Sequence, residues 1–581
     1  MKTENSFIEE KEIFANGKTN SSFDEHKVLH DLKHYLPAQA PLKDFIHHNT
    51  LHAFQNLPFH EGLRSASKIF GYKVSLTLDE YREYYHSGKI REDILDRIVS
   101  EKKGAGHLKE WKEKLLTRKY DTELVPRIGE LRSGWKAFKV DLDSLVHPIL
   151  FRVLCSYLDQ GISIWQFPVE NQGFLASIRE IEKNSFTSFF KSSRAKKLLL
   201  EGDCSLAALL KTLVGDESLY ATYLFDQQFA HQGWSGMVSA VELQPETLLD
   251  TKKITLHDLI TFELLLEIDA LDFELGKRWE PLSTKIKHRP SDLFALVPET
   301  ELNEVFVLWQ EAYEWSYYDE VLSAIKNHKT PAPGKNPPSF QAMFCIDDRE
   351  CSLRRYLENT DPDCETFGTP GFFSVEFFFQ PEGGKFYTKL CPAPVTPKYL
   401  IKEAETKSKR AKDVHFSKTS HSFFRGWLIS QTLGFESAFR LFLNIFKPAM
   451  SPATAHSFKH MDKFSKLTIE NTDVTNREND LQVGFTIEEM TNRVESLLKS
   501  IGLVKNFSSL VYVVGHGSSS VNNPHFAAYD CGACCGRPGS VNARVVCYMA
   551  NHPKVRAMLA ARGLVIPETT QFVGGLHDTT R

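Results

Sequence analysis

No stretch of this 581-residue chain reaches the ~18 consecutive apolar residues that a membrane-crossing helix needs, so any membrane contact is expected to be peripheral. The opening residues, MKTENSFIEEKEIF, are polar and acidic with no apolar centre. They read against a secretory leader, and the expectation is a protein that folds in the cytoplasm. Cysteine is too sparse for a disulfide scaffold, at ten residues in the whole chain. Charge of one sign is also lacking: 70 Lys and Arg face 74 Asp and Glu, a formal net charge of -4. That balance leaves no electrostatic footprint for nucleic acid, and no nucleic-acid partner is expected. We find no internal repeat.

What is abundant is aromatic residue, with 42 Phe and an aromatic fraction of 12%. Runs such as GFFSVEFFF (Gly371 to Phe379) read first as core, and second as a face for a partner or a membrane. Residues 1–330 read as mainly helical, with amphipathic stretches at Leu256 to Asp269 and Val307 to Ile325 and Gly/Trp-bearing loops such as HQGWSGM, His231 to Met237. The Pro-rich NHKTPAPGKNPPS, Asn327 to Ser339, is the clearest boundary. Residues 331–581 then take on an α/β texture. Strands are predicted at Phe340 to Ile346, Gly371 to Phe379 and Leu510 to Val514, and polar insertions at Lys402 to Ser422 and Asn471 to Asp480. A helix is predicted from Val541 to Asn551 with Ser540 as N-cap, and Gly563 is predicted to cap the next helix.

The chemistry gathers beyond the boundary, where eight of the ten cysteines fall. In FQAMFCIDDRECSLRRYLE, the residues Cys345, Asp347 and Arg349 follow a short apolar strand and precede a helix, and strand ends of open α/β sheets are where sites are built. A second strand, LVYVVGHG, ends at His516 between two glycines, and Cys531, Cys534 and Cys535 lie in a Gly-rich loop. Thiolate, imidazole and thiolate from three loops form a set that zinc favours. Each part has a plainer reading: a buried thiol beside an Asp-Arg pair that caps a helix, a satisfied loop histidine, or a redox pair of Cys531 and Cys534. Taken jointly, the metal reading outweighs them. His47, His48, His52 and His60 suggest a second site, but acidic neighbours are few, and hydrogen bonding is the better expectation.

The run Cys345-Ile346-Asp347-Asp348-Arg349 resembles the Cys-x-Asp-x-Arg signature of β-carbonic anhydrases, although their usual His-x-x-Cys is absent: the nearest cysteine after His516 is Cys531. The combination of this signature, a distant Gly-His-Gly, a Cys-rich loop and a large helical amino-terminal region bearing HNT and GWSGM resembles the DabA family, the zinc-binding subunits of bacterial inorganic-carbon transporters. The resemblance implies Zn2+ held by Cys345, Asp347, His516 and Cys531, with Arg349 as the partner of Asp347. It implies a β-carbonic anhydrase-like core over residues 331–581 and a helical region over 1–330 that contacts a membrane subunit. In that reading Asp347 closes the metal's last position and Arg349 opens it, and carbon dioxide is hydrated to bicarbonate. The implied partner is a DabB-type proton-conducting membrane subunit, and activity is expected only within the complex. The implied location is the cytoplasmic face of the bacterial inner membrane, as a peripheral protein. The resemblance also implies further chain beyond FVGGLHDTTR. Two other readings stay open: a freestanding β-type carbonic anhydrase, and an interaction scaffold whose zinc is purely structural.

Overall fold

The computed structural model describes residues 23–37, 50–159, 167–169, 172–245, 248, 250–276, 278–286, 289–290, 292–328, 338–382, 387–392, 394–404, 423–446, 465–473, 475–517 and 530–579. The amino-terminal stretch, His47, His48, most of the Pro-rich boundary and the insertion at 405–422 lie outside these residues.

Up to Asn327 the described regular elements are helices, and their centre is Leu256–Leu275. This helix starts at Thr255, whose side chain accepts a hydrogen bond from the Asp258 backbone N–H. The helices Leu142–Tyr157, Phe174–Asn184, Ser193–Glu201, Leu206–Leu213 and Gln232–Leu243 pack around it. The sequence reading of an amphipathic helix is therefore corrected. Leu256–Leu275 is buried nearly all round, and its acidic residues Glu263, Glu267, Asp269 and Asp272 are buried as well. A helix surrounded on every side can keep acidic residues only where partners meet them. The Glu301–Asn327 helix opens with a capping box of Thr300 and Asn303. It packs its first half on Leu78–His86, Glu92–Lys103 and Leu108–Leu116, where Trp309 stacks on Tyr81. Its second half leaves Trp315, Tyr317, Tyr318, Leu322 and Ile325 exposed.

Beyond residue 340 the chain forms strands β1 (Gln341–Phe344), β2 (Glu365–Gly368), β3 (Phe378–Gln380), β4 (Thr388–Lys389), β5 (Tyr399–Ala404), β6 (Lys466–Leu467), β7 (Arg477–Glu478), β8 (Leu481–Val483), β9 (Leu510–Gly517) and β10 (Gln571–Asp578). One sheet has the order β10-β9-β1-β2, and every pairing in it is parallel. The chain leaves β1 towards β2 on one side, while β9 and β10 lie on the other. That reversal of direction between β1 and β9 marks the crevice where α/β sheets place ligands. A mixed sheet of six shorter strands runs β4-β3-β5-β8-β7, with β6 added to β5. Between the sheets and helices Ile487–Ser500, Ser540–Asn551 and Pro553–Ala561 lies one apolar core, including Met343, Phe373, Val511, Val513 and Val546.

Two sequence expectations change here. Gly371 to Phe379 is not one strand: Gly371 to Ser374 form a turn in which Phe373 and Ser374 take positive φ, and only Phe378 onward pairs. The buried side chains of Phe373, Phe377 and Phe379 account for the apolar run as core. Gly539, not Ser540, takes the N-cap position of Ser540–Asn551. An added Cβ on Gly515 would stand 2.4 Å from the Gly539 carbonyl oxygen, so the helix start and the end of β9 approach backbone to backbone. The Gly539 N–H donates to the His516 carbonyl at 2.9 Å, which fixes that approach.

Candidate metal centre

Cys345 is the first residue after β1, and His516 lies one residue before the end of β9. Phe344 pairs with Val514, so the two side chains emerge at the same edge of adjacent strands. Cys531 reaches that edge from a tight loop. Its carbonyl accepts from the N–H groups of Cys534 and Gly536 at 3.1 Å each, and its own N–H donates to the Arg537 carbonyl at 3.1 Å. The ligand atoms of Cys345, His516 and Cys531 all lie within 4.8 Å of one another, and all three residues are buried.

The sulfurs of Cys345 and Cys531 are 3.9 Å apart. Two sulfurs each about 2.3 Å from a shared tetrahedral ion stand about 3.8 Å apart, whereas a disulfide would require about 2.05 Å. His516 is fully buried, and neither ring nitrogen has a hydrogen-bond partner among the described residues. A buried imidazole left so costs desolvation without return, and a cation at the centre of the trio would recover it. The Cys345 thiol is pushed well up by its contact with Cys531 and by burial. At Cys531 the Cys345 contact acts downward, but Cys534 and burial outweigh it. Both groups are therefore neutral thiols unless a cation ionises them. A built space agrees with the donor set: a Cβ added to Gly371 would meet the Cys531 sulfur at 2.6 Å and the Cys345 sulfur at 2.9 Å. Residues and space fit a borderline-soft metal ion.

The neighbouring cysteines of the loop are placed differently. Cys534 donates its thiol to the Gly371 carbonyl at 3.3 Å, and Cys535 holds a left-handed backbone conformation with φ 58°. Neither joins the trio.

Asp347 ends the short loop after β1 and caps the Asp348–Thr360 helix by accepting from the Arg349 N–H. Its carboxylate turns to Arg349 rather than to the sulfurs. Arg349 Nε donates to Oδ1 and Nη2 to Oδ2, both at 2.7 Å, a two-pronged charge-assisted pair. Burial acts to raise the Asp347 carboxyl, but the Arg349 bonds and charge overcome it and hold the group well below the usual carboxylate range. Oδ2 still lies 4.0 Å from His516 Nε2, so Asp347 stands beside the trio without being part of it.

Several contributors had no local sequence signal. Gly371 makes the room for the sulfurs. His577 on β10 meets Glu350 at 2.6 Å, and Arg349 Nη1 donates to Thr579 Oγ1 at 3.3 Å, so β10 and the residue after it brace the helix start that holds the dyad. Only the register of β10, with His577 opposite His516, reveals that role. Of the amino-terminal histidines, His60 faces Glu311 at 3.5 Å and His52 faces Gln55 at 3.5 Å; neither enters a metal-capable group among the described residues.

Comparison with known proteins identifies the family. Residues 29–581 match the family described as "Probable inorganic carbon transporter subunit DabA". The chain is 63% identical to the protein of that name from Nitrosospira multiformis, over 97% of this chain and 62% of the relative. It is 58% identical to the one from Azotobacter vinelandii, over 97% of this chain and 66% of the relative, and 29% identical to the one from Dechloromonas aromatica, over 95% and 72%. The chain thus spans less than two thirds of the length of the first two. No solved structure matches. With the match running through the helices, both sheets and the metal-capable trio, the chain belongs to the DabA family.

Proposed function

We propose that this chain is the zinc-binding subunit of an energy-coupled inorganic-carbon transporter, and that it converts carbon dioxide to bicarbonate at a β-carbonic anhydrase-like site. The observation that carries the reading is the Cys345–His516–Cys531 trio at the ends of β1 and β9, with the Asp347–Arg349 dyad beside it. In this reading residues 331–581 are the metal core and residues 1–330 carry the partner contact.

Cys345, Cys531 and His516 would hold the ion through two sulfurs and one nitrogen. Zinc bound in such a site supplies Lewis acidity that makes water a competent nucleophile near neutral pH. Arg349 gives the trio an open fourth side by keeping both carboxylate oxygens of Asp347 in its fork. Without that fork, the carboxylate 4.0 Å from His516 is free to turn in and close the site. The same fork sets proton handling. While paired, Asp347 is too weak a base to accept a proton, and loosening Arg349 restores its basicity. Control of the dyad thus controls access and proton removal together.

A membrane partner of the DabB type, and a peripheral position on the cytoplasmic face of the inner membrane, follow from the family reading. The exposed face of one helix supports a hydrophobic partner. No helix among the described residues is long and apolar enough to cross a membrane. The Phe423–Phe446 helix exposes Phe424, Trp427, Leu428, Phe435, Phe439 and Phe442, an apolar set of the kind that marks partner or membrane contact.

The test is metal content and bicarbonate formation, measured with and without the membrane partner. Loss of zinc in both Cys345→Ala and His516→Ala, with hydration only in the complex, supports the reading. Zinc indifferent to both substitutions would end it. Hydration by the chain alone would favour a freestanding anhydrase. Zinc retained in Asp347→Ala with unchanged carbon uptake would favour a scaffold with structural zinc.

A further inference from the structure

Far from the sheet, inside the helical region, three more metal-capable side chains converge. His147 comes from the Leu142–Tyr157 helix, His231 from the residue that opens Gln232–Leu243, and Glu263 from the buried helix Leu256–Leu275. Their ligand atoms all lie within 4.8 Å of one another. We propose that these residues form a second metal site, taking a divalent first-row transition-metal ion through two imidazoles and a carboxylate. It is independent of the cysteine centre and of the function proposed for it.

The geometry around His231 is the first argument. Its Nδ1 lies 3.0 Å from Ser235 Oγ, and that hydroxyl sits 2.8 Å from Gln228 Oε1, an acceptor to which it can donate. Ser235 then accepts from Nδ1–H, which directs the Nε2 lone pair at Glu263, 2.9 Å from each carboxylate oxygen. Two acceptors face each other at a distance that needs a cation between them, either a proton or a metal ion. A metal held at about 2.0–2.2 Å by imidazole and carboxylate places those atoms about 2.8–3.1 Å apart at octahedral angles and about 3.3–3.6 Å apart at tetrahedral ones, so the observed 2.9 Å suits an octahedral ion.

His147 separates the two choices. A proton between His231 and Glu263 satisfies that pair and asks nothing of a second imidazole. His147 nevertheless presents Nε2 to the same carboxylate at 3.9 Å, stands edge-on to the His231 ring at 5.0 Å, and has no hydrogen-bond partner for that buried nitrogen among the described residues. Asp143 Oδ1, 3.4 Å from the same nitrogen, is within reach as a further oxygen donor.

Charge gives the third argument. Glu263 and Glu267 are fully buried, and the Arg132 guanidinium meets Glu267, with Nε and Nη2 each 2.9 Å from it. Arg132 also pairs with Asp143. Glu267 and Asp143 thus occupy the arginine, and the groups that reach the Glu263 carboxylate are His231, His147 and the Gln228 amide. Gln228 Nε2 donates to Glu263 Oε2 at 2.8 Å and Ser235 orients His231, so the proposed ligands are held from behind as metal ligands usually are. A cleft of about 260 Å³ is lined by Arg132, Lys136, Asp143 and Asp226 among others, so Asp143 lies both at this cleft and 3.4 Å from His147.

A cation seated there replaces the proton between His231 Nε2 and Glu263, so binding releases that proton to solvent. The test loads the metal-stripped full chain with cobalt(II), alone, and reads metal per chain together with the absorption spectrum. Wild type should bind a second equivalent whose ligand-field bands lack sulfur-to-metal charge transfer. In a Cys345→Ser/Cys531→Ser chain that equivalent should remain and the sulfur signature vanish. Glu263→Gln and the less intrusive His147→Gln should remove it and leave the sulfur signature intact. Binding of cobalt only in proportion to the sulfur signature, in folded wild type, overturns the proposal. So does a second equivalent that survives His147→Gln and Glu263→Gln in chains whose circular dichroism and melting remain cooperative.

Discussion

At the ends of β1 and β9, His516 has no hydrogen-bond partner among the described residues, and two neutral thiols share its pocket. Around Glu263, by contrast, His231 is met at both nitrogens and Arg132 ties Glu267 to Asp143. The sheet site is thus left wanting by its own protein groups, whereas the helical network largely satisfies itself. A pocket of the first kind should depend on its ion for local order. One of the second kind should keep its fold without an ion and hold that ion more weakly.

The largest expected effect tests the self-satisfied side. Arg132→Met leaves Glu267 and Asp143 without their cation and should cost about 3–5 kcal/mol of stability, read from denaturant unfolding. Zinc at the cysteine centre should stay unchanged, and its loss would break the contrast. Next, chelation should lower the stability of the sheet region by about 3–4 kcal/mol if the working metal concentration is 100–1,000 times its dissociation constant. A Cys345→Ala chain should show no such drop. An equal drop in both would mean that the helical cluster supplies the metal-dependent stability.

Gly371→Ala comes third. Its methyl must displace two sulfurs at 2.6 and 2.9 Å, so about 1–3 kcal/mol of stability should be lost together with much of the zinc. Retention of full zinc occupancy would show that the sulfurs are not held where the contrast requires. The smallest effects sharpen it most finely. Thr300 and Thr486 each close a capping box, one in the helical region and one in the sheet region. Replacing either with Ala should cost about 1 kcal/mol. If the two regions unfold separately, Thr300→Ala shifts one transition and Thr486→Ala the other; a common shift would make them one cooperative unit.

Much of the sheet site could be read in the sequence because strand ends concentrate chemistry over a few adjacent residues. Cys345, Asp347 and Arg349 lie within five positions, and Gly-His-Gly marks the end of β9. The choice among Cys531, Cys534 and Cys535 could not be read, since one short loop offers all three and only its hydrogen bonds to Arg537 and Gly371 separate them. Gly371 to Phe379 misled because aromatic density looks the same in a strand and in a buried turn, and positive φ at Phe373 and Ser374 has no sequence mark. The helical cluster draws on residues 147, 231 and 263 from three elements. Leu256 to Asp269 read as amphipathic because periodicity reports one helix at a time, not the five packed around it.

The parallel pairing of β1 with β9 also sets a timetable. Cys345 and Cys531 are 186 residues apart in the chain. At a synthesis rate of about 5–20 residues per second, the first thiol leaves the ribosome about 10–40 s before its partner exists. For that interval Cys345 has neither the second sulfur nor the third sheet neighbour that buries it. A wrong metal or an oxidant can meet a lone cysteine there, and metal loading at the trio has to wait until synthesis has passed Cys531.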